Sequence, residues 1–236
     1  SEMTQRISQS HHWRSHLTSW LAIAGVLFVS PLCAMAQRTP IADDTLGNER
    51  SLVSPDTVIN NLPSNQIDGG AQRKANLFHS FREFNIDSGR GVYFTNPAGV
   101  AHILTRVTGS SRSEILGTLG VLGNANLFLI NPNGILFGPN AQLDIRGSFL
   151  ASTANSVVFD NGFAFSATNP QAPPLLTINV PIGLQYGNNP GEMRSQGASL
   201  QMPNGQTLTL AGGTVNIDGG QLLAPGGRVE LAGVAD

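Results

Sequence analysis

The chain has 236 residues and a mass of 24.8 kDa, enough to bury a sizeable core in one domain or in a domain with an extension. Only 12% of residues are charged while glycine (27) and proline (14) abound, which excludes a helical bundle or a disordered tail and fits an all-β chain with many turns. With a net charge of −2 and no cluster of Lys and Arg, it lacks the basic footprint that a nucleic-acid partner requires.

The first 36 residues read as a signal peptide. Arg6, His11, His12, Arg14 and His16 form a positive or protonatable start, Leu17 to Val29 is a short apolar run, and Ala34-Met35-Ala36 is an A-x-A cleavage site that leaves Gln37 as the first mature residue. The apolar run falls short of the roughly 18 residues of a membrane span, so no stable membrane anchor is expected. Ser30-Pro31-Leu32 ahead of Cys33 is a poor lipobox. Cleavage removes the only cysteine, so the mature domain, residues 37–236, has no disulfide. Either it passes a second membrane unfolded, where a cross-link would obstruct it, or its core needs no staple.

From Gln37 the chain reads as short strands separated by turn residues. Thr57 to Asn60, Ser64 to Gly70 and Ala75 to Ile86 are the first three. Extended, the third places Phe78, Phe84 and Ile86 on one face and Leu77, Phe81, His79, Glu83 and Asn85 on the other. His79 reads as a packed or surface histidine, since no second ligand stands at metal-binding spacing. Val92-Tyr93-Phe94-Thr95 then runs into Asn96-Pro97-Ala98-Gly99-Val100. Ile103 to Gly109 suits a strand or a short helix, and its β-branched content favours the strand. Ser110 to Ser113 is a polar loop, and Ile115 to Gly123 is apolar with a glycine every third residue.

The clearest turn is Asn131-Pro132-Asn133-Gly134, between the apolar strands Asn126 to Ile130 and Ile135 to Phe137. Pro132 fixes φ near −65° and Gly134 tolerates positive φ, as a tight turn needs. Asn96-Pro97-Ala98-Gly99 is a looser copy, so both read as corners of one architecture. Ala141 to Thr153 continues the pattern, and Val157 to Phe159 and Phe163 to Phe165 add two strands. Pro170, Pro173, Pro174, Pro181 and Pro190 then predict an excursion over residues 168–190.

From Thr207 four units of seven residues follow, starting at Thr207, Thr214, Gln221 and Arg228. Their second places are Leu208, Val215, Leu222 and Val229, their fourth Leu210, Ile217, Ala224 and Leu231, and three end in Gly-Gly. Apolar residues two apart followed by a double glycine cannot form a helical seam, so each unit is a strand and a corner. Three units make a coil of about 21 residues, the rung of a parallel β-helix. Antiparallel hairpins with Gly-Gly turns are the competing reading. The sequence stops in mid-pattern at Asp236, which predicts a longer β-helical protein.

These segments carry a family resemblance. Asn76 to Phe81, Asn96 to Val100, Arg106-Val107-Thr108-Gly109, Ile115-Leu116-Gly117, Gly123 to Ile135 and Ala151-Ser152-Thr153 resemble the filamentous haemagglutinin N-terminal domain, the two-partner secretion or haemagglutination activity domain, with wording closest to cyanobacterial members. Asn-Pro-Ala-Gly at Asn96 departs from the Asn-Pro-Asn-Leu frequent there. The resemblance implies an all-β fold: a right-handed parallel β-helix, a three-faced solenoid with an N-terminal β cap and extra-helical excursions. It further implies periplasmic recognition by the POTRA domains of an outer-membrane β-barrel transporter, passage through that pore unfolded, and folding outside the cell. Asn131 and Asn133 then either meet a transporter edge strand or hold their own turn.

Other functions fit less well. A β-helical polysaccharide-degrading enzyme needs paired carboxylates or a metal, yet Asp144, Asp160, Asp218 and Glu230 are scattered, so no catalytic residue, metal or cofactor is expected. A module binding host or surface glycans would use Tyr93, Tyr186 or exposed phenylalanines as stacking platforms.

Overall fold

Each seven-residue unit forms one strand and one corner in the computed structural model, which describes residues 38–174 and 181–234. The four strands are Thr207–Gly212, Thr214–Asp218, Gln221–Leu223 and Arg228–Gly233. Thr207 lies beside Arg228 and Leu208 beside Val229 in parallel register, so three units complete one coil of 21 residues. Parallel pairing rules out the hairpin reading for this region. The expected signal peptide and its cleavage site, with Ala34, Ala36 and Gln37, lie outside the described residues.

The same coil runs through the molecule as a three-faced parallel β-solenoid. On the first face, Asn76–Glu83, His102–Val107, Asn126–Ile130, Phe149–Ser152, Thr207–Gly212 and Arg228–Gly233 stack in chain order. The second holds Leu62–Gly69, Gly91–Thr95, Thr118–Leu122 and Gln142–Asp144, with Ser199–Gln201 and Gln221–Leu223 as a separate pair. Ser113–Ile115, Ile135–Phe137, Glu192–Gln196 and Thr214–Asp218 form the third. Register stacks like on like: Leu77, Ile103, Leu127, Phe149 and Leu208 form one buried inward column. The column ends at Val229, which is 38% exposed.

Residues 103–107 are strand, as their β-branched content predicts. The expected facing of the strand at Leu77 holds only as far as Glu83, where the strand ends. A corner there resets the alternation, so Phe84 and Ile86 join Leu77 and Phe81 in the lumen while Phe78 packs outside it.

Antiparallel strands close the N-terminal end. Ile41–Ala42 and Ala71–Arg73 pair with Asn76–Glu83, and Ser51–Ile59 pairs with Leu62–Gly69. Asn60 and Asn61, both at positive φ (50° and 62°), make the tight turn of that hairpin. Its outer strand is interrupted by a bulge at Pro55-Asp56, a device that blunts an exposed edge.

The solenoid is left between Ser152 and Glu192. Ser156–Phe159 pairs antiparallel with Ala164–Ser166 and with Pro181–Gln185. The two strands read around Val157 and Phe165 therefore belong to the excursion, which begins ahead of residue 168; the prolines mark only its second half. Its sheet lies on the outside of the first face, where Val157, Phe159 and Phe165 cover Phe78, Leu104 and Ile130. That cover explains why the strand Asn76–Glu83 carries aromatics on both sides.

Candidate functional site: the asparagine corners

The Asn131 corner joins the first face to the third. Gly134 N–H donates to the Asn131 carbonyl over 3.1 Å and closes a four-residue turn around Pro132 and Asn133. Gly134 sits at φ +120°, where a Cβ would also come within 3.0 Å of the Glu192 carbonyl. Asn131 itself is fully buried. Its Nδ2 donates to the Ser111 carbonyl and to Ser113 Oγ, each at 3.0 Å, while its Oδ1 accepts from Asn133 N (3.0 Å) and Asn133 Nδ2 (3.1 Å). All four hydrogen-bonding positions of the amide are thus filled from within the protein. Asn133 Nδ2 also donates to the Gly109 carbonyl at 2.7 Å, and the Pro132 carbonyl accepts from Gly191 N–H at 2.9 Å. The corner is therefore tied to the coils on both sides. Outward it presents Asn133 and part of Pro132, with Ile135 facing the core.

The Asn96 corner joins the second face to the first, so the two related turns occupy different edges of the solenoid. Asn96 Nδ2 donates to the Val100 carbonyl at 3.0 Å, and Asn96 Oδ1 accepts from Ala125 N–H of the next coil at 2.8 Å. Gly123 makes this possible, since a Cβ there would stand 2.3 Å from Asn96 Oδ1. Pro97, Ala98 and Gly99 are exposed. One coil on, Asn126 Oδ1 accepts from Ser148 N–H (2.8 Å), and Ser148 Oγ accepts from Thr207 N–H (3.0 Å). Side chains thus bind coil to coil up this edge. The roles of Asn126 and Ser148 are not visible in sequence, because neither sits in a turn motif.

A buried polar network behind the corners also escapes sequence reading. Arg106, fully buried on the outer side of the first face, donates to Ser80 Oγ (2.9 Å), Thr45 Oγ1 (2.8 Å) and the carbonyls of Ser166 and Gln171 (both 3.0 Å). Its guanidinium lies 4.4 Å from the centre of the Phe165 ring, and burial pushes its pKa down to about 10. Burial works against the charge of nearby Asp43, but hydrogen bonds from Thr108, Thr45 and Ser80 outweigh it and hold the carboxyl below its ordinary range. Arg73 likewise grips Glu49 through two nitrogens (2.9 and 2.7 Å) and reaches the carbonyls of Pro173 and Pro174. Two arginines thereby pin the excursion onto the N-terminal cap and the first coils.

The remaining ionisable groups are spread over the solenoid. His79 Nδ1 is 3.0 Å from Ser51 Oγ, and complete burial depresses the imidazole to about 3. Asp144 Oδ2 accepts from Tyr93 Oη and Asn60 Nδ2; Asp218 pairs with Arg194 and Glu230 with Arg228. Among the described residues, no three His, Cys, Asp or Glu side chains gather as metal ligands would. Tyr93, 2% exposed with its ring over Gly120, is closed to stacking with a ligand; Tyr186 is half-buried on the excursion.

Residues 39–236 match the family model described as the TPS secretion domain. The chain is also similar to the heme/hemopexin-binding protein of Haemophilus influenzae, with 29% identity over 118 residues, which cover 50% of this chain and 11% of that protein. A match over nearly the whole solenoid, corners and excursion included, places the chain in the TPS secretion domain family of exported two-partner secretion proteins.

Proposed function

We propose that residues 37–236 are the part of an exported adhesin-like protein that its transporter reads, and that the folded domain starts the folding of further coils outside the cell. Residues 1–36 direct the chain across the inner membrane and are removed after Ala36. POTRA domains of an outer-membrane β-barrel then take up the chain in the periplasm, and it emerges at the cell surface. The cysteine-free mature sequence favours passage of an unfolded chain.

The observation that carries the folding half of this reading is coil-on-coil register: Leu77, Ile103, Leu127, Phe149 and Leu208 stack in parallel, each strand pairing with the one before it. Antiparallel strands and a bulged edge seal the N-terminal end. Each coil so formed is a template for the next, and each addition buries apolar surface worth about 25 cal/mol per Å². This reading assigns no catalytic step to the domain.

The test is export from cells that carry the transporter, with and without its POTRA domains. The native chain is expected outside only with them intact, and Leu210→Asp, which puts a charge in the lumen, is expected to slow release. Export without POTRA domains sinks the recognition half; an unchanged rate for Leu210→Asp sinks the folding half.

A further inference from the structure

The excursion does more than cover the first face: it encloses a cleft of about 580 Å³, within the range of small-molecule sites. Asn155, Phe163, Asn169, Gln171, Gln185 and Tyr186 supply its chemistry, and among the described residues no Asp, Glu, Lys, Arg or His lines it. A charged ligand would find no compensating charge there. The guanidiniums that reach carbonyls of lining residues are committed, Arg106 to Ser80, Thr45, Ser166 and Gln171 and Arg73 to Glu49, Pro173 and Pro174.

The cleft offers amides instead. Among the described residues, the side-chain amides of Asn155, Asn169, Gln171 and Gln185 have no hydrogen-bond partner, in contrast to Asn131, whose amide is saturated. A carboxamide presents a donor and an acceptor side by side, which matches the adjacent hydroxyls of a sugar ring. Two aromatic rings accompany them in fixed positions. Tyr186 Oη is 2.8 Å from Ser152 Oγ, and burial raises its pKa, so the phenol stays neutral. Phe163 stands edge-on to Phe78, 6.4 Å between centres, and 5.8 Å from Phe159. Ring faces of this kind carry partial negative charge and attract the C–H face of a pyranose.

The walls are held before any ligand arrives. Asn155 N–H donates to the Gln185 carbonyl and Ala167 N–H to the Asn155 carbonyl, both at 2.8 Å. Arg106 and Arg73 fasten the carbonyls of residues 166, 171, 173 and 174 from beneath. Preorganisation of this kind lowers the ordering cost of binding. We propose that this cleft is a binding site for a neutral saccharide of one or two pyranose rings. Thr168 borders both this cleft and the surface beside Pro132 and Asn133, but the proposal does not depend on transporter recognition.

The purified chain is titrated with methyl glucoside, methyl galactoside, methyl mannoside and N-acetylglucosamine, with glucuronate and glucosamine as charged counterparts, by ligand-observed NMR and calorimetry. At least one neutral sugar is expected to bind with a dissociation constant of about 1 mM or better, and more tightly than either charged counterpart. Asn169→Ala and Gln185→Ala each weaken that binding about ten-fold with an unchanged melting temperature, since neither amide has a partner among the described residues. The proposal is overturned if no neutral sugar binds, if the charged sugars bind equally well, or if neither substitution alters affinity.

Discussion

Asn131 spends its whole amide on its own and the neighbouring corner, and the cost of losing it follows from what is left behind. Asn131→Ala strands Ser113 Oγ in a buried place and takes the partner from the half-covered Ser111 carbonyl and Asn133 N–H, so it should cost about 2 kcal/mol, read as a lower denaturant midpoint. If export is lost while that midpoint stays put, the residue is being read by the transporter and not merely holding the turn. His79 gives a pH prediction of definite sign. Its imidazole is held near 3 in the fold but returns to about 6.5 when unfolded, so acid protonates only the unfolded chain. Stability should be flat above pH 6.5 and fall by about 1.4 kcal/mol per unit as pH drops towards 3. Half-buried His102 is shifted the same way and adds a smaller slope. Melting curves from pH 7 to 4.5 check this, and His79→Gln should flatten most of the dependence. The turn itself was legible at Pro132 and Gly134, because their backbone constraints are local. The saturation of Asn131 was not, because its partners Ser111 and Ser113 come from the preceding coil.

At the scale of the element, legibility depends on whether a strand's neighbours repeat its own pattern. The units from Thr207 onward show their coil openly because each stacks on a near copy 21 residues away. Val157-Val158-Phe159 has the same local composition, yet it pairs antiparallel within the excursion, and nothing in its alternation distinguishes the two fates. The excursion is instead defined by what grips it. Replacing Arg106 by Met would keep the bulk but leave the carbonyls of Ser166 and Gln171 without their donor, a loss of about 3 kcal/mol concentrated on this element. Limited proteolysis should then cut within residues 155–174 several-fold faster while the coils resist. Equal resistance of the variant and the parent would show that apolar cover over Phe78 and Leu104 suffices.

For the whole molecule, the two ends of the described solenoid differ in how their edges are covered. Pro55 and its bulge protect the first edge, whereas Val229 and Leu231 lie bare on the last. The 236-residue chain is therefore expected to self-associate through its C-terminal coil as concentration rises. Val229→Lys with Leu231→Lys should suppress this in sedimentation velocity, and persistent association would place the contact elsewhere. The inward column was legible from residue type alone, because a lumen admits only apolar side chains at that density. The seal at the other end was legible only through the family resemblance, because the short strands Ile41–Ala42 and Ala71–Arg73 carry no alternation long enough to read. The point where the coil is left has its own meaning. Thr153, at the exit, and Gly191, at the return, both accept from the single amide of Gly213, at 3.2 and 3.1 Å. Departure and return thus meet at one atom, and the register of the first and third faces continues across them. A site of this kind works as a socket: cassettes of different length can be exchanged there without altering the pitch of the solenoid, provided each brings its own cover for Phe78, Leu104 and Ile130.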